Sequence, residues 1–170
     1  MVVEDEPDIY EVLLAMFEMW GIEGVAFVDG EEAVAWVDDV DNERFKGELP
    51  ELALLDIRLP GDINGAMVGE RLRKSTELGN IAVVLITAFK LTPDEEKAII
   101  KQAGADRLGY KPLPRFNELQ SLLESVIAER RNSAVPQAAT AKASTTKATS
   151  TAATKTEASD KKAENKPKEK

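Results

Sequence analysis

At 170 residues, with a formal net charge of -9 and neither cysteine nor histidine, the chain has room for one ordinary domain and lacks disulfides, thiolate metal sites, imidazole bases and any His- or Cys-dependent nucleophile. Any metal here must be a hard cation held by oxygen, and the acidic balance disfavours nucleic acid as a partner of the folded part. No apolar run approaches the roughly 20 residues a membrane span needs, and the acidic start MVVEDEPD lacks the basic region of a signal peptide, so no membrane association and a cytoplasmic location are expected.

The first 131 residues alternate strand and helix signals. A short apolar run, MVV, is followed by PDIYEVLLAMFEMWG, where Ile9, Val12, Leu13, Met16, Phe17 and Trp20 recur at helical spacing. Pro7 suits its first turn and Gly21 its stop. GVAFV (24–28) predicts a strand, EEAVAWVDDV (31–40) a helix, and LALLD (52–56) a buried strand closed by Pro60–Gly61. GAMVGERLRKSTE (65–77) predicts a helix and IAVVLI (81–86) a fully buried strand. TPDE at 92–95 has the form of a capping box opening a helix through Gln102. DRLGY (106–110) is a weak strand, and Phe116, Leu119, Leu122, Leu123, Val126 and Ile127 stripe a last helix over 116–131. Five strand–helix units predict an α/β three-layer sandwich, a parallel sheet with helices on both faces. Functional groups then belong at the carboxyl ends of the strands.

From 132 onward the composition changes. Ala134–Lys170 is built mostly of Ala, Thr, Ser, Lys and Glu, with no aromatic residue and no Leu, Ile or Met. Such a stretch cannot bury enough apolar surface to offset its ordering entropy, so residues 132–170 are expected to form a disordered tail. It holds eight lysines and four acids, so it is net positive and the remainder is more acidic than the chain total of -9. That charge suits a simple solvated extension, or contact with an acidic partner, with nucleic acid or with its own acidic domain.

The strand ends share a polar character. Strand one ends in Glu4-Asp5-Glu6, strand three in Asp56, strand four in Thr87 and strand five in Tyr110-Lys111-Pro112. Each residue alone has an ordinary explanation: acids at a helix N-terminus, an Asx turn at Asp56, a cap at Thr87, a solvated Lys111. Together they suit a carboxylate cluster of Glu4, Asp5 and Asp56 holding Mg²⁺, with Asp56 able to act as nucleophile toward a phosphoryl donor and with Lys111 and Thr87 stabilising the transferring oxygens.

The segments VVEDEPDI, LLDIRLPG, ITAF and GADRLGYKPLP, in that order, resemble the receiver domain of bacterial two-component response regulators over about residues 1–131. The resemblance implies the flavodoxin-like (βα)5 fold with sheet order 2-1-3-4-5. It implies that Glu4 and Asp5 match the acidic pair that binds Mg²⁺, that Asp56 is the phosphoacceptor, and that Arg58 supplies a backbone carbonyl to the metal. Thr87 and Lys111 match the switch hydroxyl and the phosphate-binding lysine, with a cis bond before Pro112. The implied partners are a sensor histidine kinase or phosphotransfer protein and a downstream target protein. The face of the fourth helix, fifth strand and fifth helix is implied as the surface for partners or dimerisation.

Three features depart from the family pattern. The aromatic switch position, three before the lysine, is Leu108; Tyr110 is aromatic but lies one before it and should face the opposite side of the strand from Lys111. The first strand starts almost at Met1, a short start for the family. No DNA-binding or other output domain follows, as in a stand-alone receiver. Two other readings compete. A haloacid-dehalogenase-like phosphatase would need an acid/base carboxylate two residues after Asp56, where Arg58 stands. A phosphate-independent binding module would not need the intact set Asp5, Asp56, Thr87 and Lys111.

Overall fold

The structure, a computed structural model, describes residues 1–134. Of the disordered tail expected over 132–170, residues 132–134 instead continue the last helix, and the rest lies outside the described residues. Strands β1 (Val2–Val3), β2 (Ala26–Phe27), β3 (Leu52–Asp56), β4 (Ala82–Thr87) and β5 (Arg107–Tyr110) alternate with helices α1 (Pro7–Met19), α2 (Gly30–Asp41), α3 (Gly65–Lys74), α4 (Pro93–Ala103) and α5 (Phe116–Ala134). All pairings are parallel, in the order β2-β1-β3-β4-β5, which is the flavodoxin-like order expected from the sequence.

Side-chain alternation explains why the strand sequences read as unbroken apolar runs. Val3, Ala53, Leu55, Val83 and Leu85 pack with α2, α3 and α4, whereas Val2, Leu54, Ala82, Val84 and Ile86 pack with Leu13 of α1 and Leu119, Leu123 and Val126 of α5. A sheet covered on both faces has no polar face to display. Each layer has its own aromatic cluster. Trp36 lies between Phe27 and Phe45 on the α2 side, and Trp20 between Phe17 and Phe116 on the α1–α5 side.

Local chemistry sets the element ends. Pro7 occupies the first turn of α1, and Gly21, at φ 68°, follows its end. The capping box at α4 forms as expected, with Thr92 and Glu95 exchanging side chain–backbone bonds. Asp29 caps α2 by accepting a 2.7 Å bond from the Glu32 amide. Helix α3 stops at Lys74 rather than reaching Glu77. The Ser75 hydroxyl donates to Asp41 Oδ1 and accepts from the Leu78 amide, giving the chain a local alternative to the next helical turn.

Register delivers the site. Val3 lies opposite Leu55, so the next residues, Glu4 and Asp56, leave the sheet side by side. This is where the strand order reverses, with β1 and β3 neighbours and β2 on the far side of β1. Gly65 lets α3 approach the end of β3: a Cβ there would fall 1.9 Å from the Asp56 carbonyl oxygen. Gly65→Ala should therefore cost about 2 kcal/mol or more by overpacking. Gly109→Ala, whose Cβ would meet its nearest neighbour at 3.7 Å, should stay within about 0.5 kcal/mol of wild type. Urea denaturation of the two variants checks the contrast.

Candidate functional site

The Lys111 ammonium, at the end of β5, gathers the ends of β1 and β3. Its Nζ donates to Asp56 Oδ2 at 2.5 Å and to Glu4 Oε1 and Glu6 Oε1 at 2.8 Å each. The Lys111 side chain is only 6% exposed, Glu4 is fully buried and Asp56 is 4% exposed. Burial alone would lower the Lys111 pKa; its bonds to Asp56, Glu4 and Glu6 outweigh burial and hold it above its ordinary value. The main chain fixes the lysine as well. Its amide donates 2.8 Å to the Thr87 carbonyl, and the Lys111–Pro112 peptide is cis, as expected.

One ammonium does not balance the acids. Carboxylate oxygens of Glu4, Asp5 and Asp56 lie within 4.8 Å of one another, with Asp5 the most open to solvent. Glu4 Oε2 is buried without any hydrogen-bond partner among the described residues. Burial raises the Glu4 pKa first, and the Asp56 charge adds to this against the bond from Lys111. A buried, unpartnered carboxylate oxygen inside an acidic cluster is costly unless a cation completes it. Three oxygen donors converging in this way fit a hard divalent ion.

The two oxygens of Asp56 have different partners. Its Oδ1 accepts from the Arg58 amide at 3.0 Å, the expected turn, while Oδ2 faces Lys111. The Arg58 guanidinium lies 3.7 Å over the Phe89 ring. Thr87 is buried, and its hydroxyl accepts from the Phe89 amide at 3.2 Å. Leu108 is half-buried and packs in the layer that contains α4. Tyr110 shares that face of β5, as strand alternation requires. Its hydroxyl donates to Glu96 in the first turn of α4 and accepts from the Leu91 amide at 3.4 Å.

Three features escape the sequence reading. Glu6 reads as a first-turn acid but serves as the third partner of Lys111; its place in the EDE run was the available signal. The Arg58–Phe89 stack and the Tyr110–Glu96 bond join segments far apart in the chain, and nothing local announces them.

Comparison with known proteins agrees with this geometry. The model of the response regulator receiver domain matches residues 1–124. The chain belongs to the response regulator receiver domain family. The receiver is 34% identical over 120 residues to the polar-differentiation response regulator DivK of Brucella ovis, a match covering 69% of this chain and 89% of that protein. A CheY-like receiver domain protein from Methanospirillum hungatei superposes with a TM-score of 0.62 at 22% identity, covering 78% of this chain and 94% of that one. The receiver domain of sensor histidine kinase PA1611 from Pseudomonas aeruginosa superposes at 0.59 with 27% identity, covering 75% and 94%, and that protein carries a magnesium ion in its active site cleft. Membership makes this chain a receiver of two-component signalling, and a phosphoryl-accepting role fits the family. Among the described residues, no helix is long and apolar enough to cross a membrane.

The receiver's acidic pocket depends on its lysine. Lys111→Ala in chelator should destabilise the fold by about 3 kcal/mol, because it strands buried carboxylates. Glu4→Gln, which removes a charge and keeps the shape, should cost less. Urea midpoints of the two variants measure the difference.

Proposed function

We propose that this receiver accepts a phosphoryl group on Asp56 from a histidine kinase or phosphotransfer protein, with Mg²⁺ as cofactor, and presents the result to a downstream protein. The observation carrying this reading is the buried Asp56 carboxylate, bonded to Lys111 and clustered with the carboxylates of Glu4 and Asp5. An Asp56 oxygen attacks phosphorus, the P–N bond of the phosphohistidine breaks, and the imidazole leaves with its electron pair and takes up a proton. The ligands would be Glu4, Asp5, Asp56 and the Arg58 carbonyl. When bound, Mg²⁺ neutralises the carboxylates and the charge on the transferring oxygens. Lys111 pairs with one phosphoryl oxygen, and the Thr87 hydroxyl turns from accepting the Phe89 amide to donating to another.

The chain then acts as a signalling domain that promotes its own phosphotransfer and dephosphorylation, and a cytoplasmic location goes with that role. The working module is the receiver domain, its last helix running to Ala134, with the lysine-rich segment after it as a tail. The α4–β5–α5 face, including Leu108, is the surface for the target or a second copy. The phosphatase alternative is disfavoured because Arg58, its guanidinium stacked on Phe89, stands where a carboxylate would have to work.

Acetyl phosphate with Mg²⁺ should add one phosphoryl group to the wild type and none to Asp56→Asn, because an amide is a far poorer nucleophile. Intact-mass spectrometry reads this, and equal labelling of both proteins would refute the assignment. Mg²⁺ affinity should fall as pH drops through the raised titration range of Glu4, since the metal must displace that proton. Calorimetric titration should show this dependence weakened in Glu4→Gln.

A further inference from the structure

The two adjacent residues at the end of β5 hold opposite ends of the β4–α4 loop, residues 88–92. The Lys111 amide bonds the Thr87 carbonyl at the start of the loop. The Tyr110 hydroxyl bonds the Leu91 amide near its end and Glu96 just beyond it. The far attachment lands on the first turn of α4, whose backbone is set by the Thr92–Glu95 capping box. Within the loop, the Phe89 amide bonds the Thr87 hydroxyl, and the Phe89 ring carries Arg58.

We propose that the Tyr110–Glu96 bond is a latch that holds the β4–α4 loop and the first turn of α4 in the unphosphorylated arrangement. The proposal rests on the phosphoacceptor reading of Asp56. A phosphoryl group at Asp56 draws the Thr87 hydroxyl away from the Phe89 amide and re-pairs Lys111, and both changes act on the near end of the loop. The far end is held by a phenol bonded to a carboxylate, a charge-assisted bond whose two partners sit on different elements. Leu108 offers no ring or hydroxyl for this task, whereas Tyr110 reaches α4 from the same strand face. A bond formed in one state and broken in the other stabilises the first, so by linkage its removal favours ligands of the second.

Beryllium fluoride with Mg²⁺, a mimic of the phosphoryl group, tests this on the full chain. Amide NMR follows saturation at Asp56–Arg58 and the response of Leu91–Glu96. Tyr110→Phe and Glu96→Ala should each reach half-saturation at about fivefold lower beryllium fluoride than wild type. Their free-state Leu91–Glu96 resonances should already lie part-way toward the bound positions, and the double variant should bind no more tightly than either single one. A bond with a merely structural role would lower thermal stability without tightening binding. If wild type saturates and either single variant binds equally or more weakly, the latch is wrong and the phosphoacceptor reading stands. If the Asp56–Arg58 amides of wild type do not respond at all, both are wrong.

Discussion

The Lys111 ammonium is the contact on which the upper edge of the molecule depends. It joins the end of β5 to Glu4 across 107 residues and to Asp56 across 55, so three strands are tied at one point. Without it, buried acids on β1 and β3 would face one another across a low-dielectric gap with no cation between them. The main chain makes the lysine dependable: its amide is anchored on Thr87, and its neighbour Tyr110 is anchored on α4.

The site is under-neutralised by construction. A single ammonium serves Glu4, Glu6 and Asp56, Asp5 stands alongside, and one buried Glu4 oxygen has no partner among the described residues. Other acids of the fold are treated differently. Asp106 sits between Arg73 and Arg130, and Asp41 is held by Arg71 and Ser75. The contrast separates acids that are paired within the structure from the Glu4–Asp5–Asp56 cluster at the strand ends, whose carboxylate oxygens face one another.

Much of this was legible from periodicity. The unbroken apolar character of LALLD and IAVVLI implied a sheet covered on both faces, and strand–helix alternation implied parallel strands, because a two-sided burial pattern has few other solutions. Asp56 and Lys111 were legible because a charge at the end of a buried strand needs a partner. Glu6 was not, since an acid before a helix has a sufficient local explanation in the helix dipole. The early end of α3 was also hidden, because the competing bonds of Ser75 involve Asp41, a residue 34 positions away. The Tyr110–Glu96 contact belongs to the same class: alternation gave the direction of the ring, while its partner depended on where α4 begins.

The two tryptophans occupy opposite layers of the sandwich, Trp36 against Phe27 and Phe45, Trp20 against Phe17 and Phe116. They are the only indoles in the chain, so each side of the sheet carries its own built-in optical reporter. Replacing one at a time by phenylalanine would leave emission from a single layer. Whether the two helical coats melt together or in succession could then be watched without any attached dye, and a domain that loosened one coat while keeping the other would give itself away by two unequal transitions.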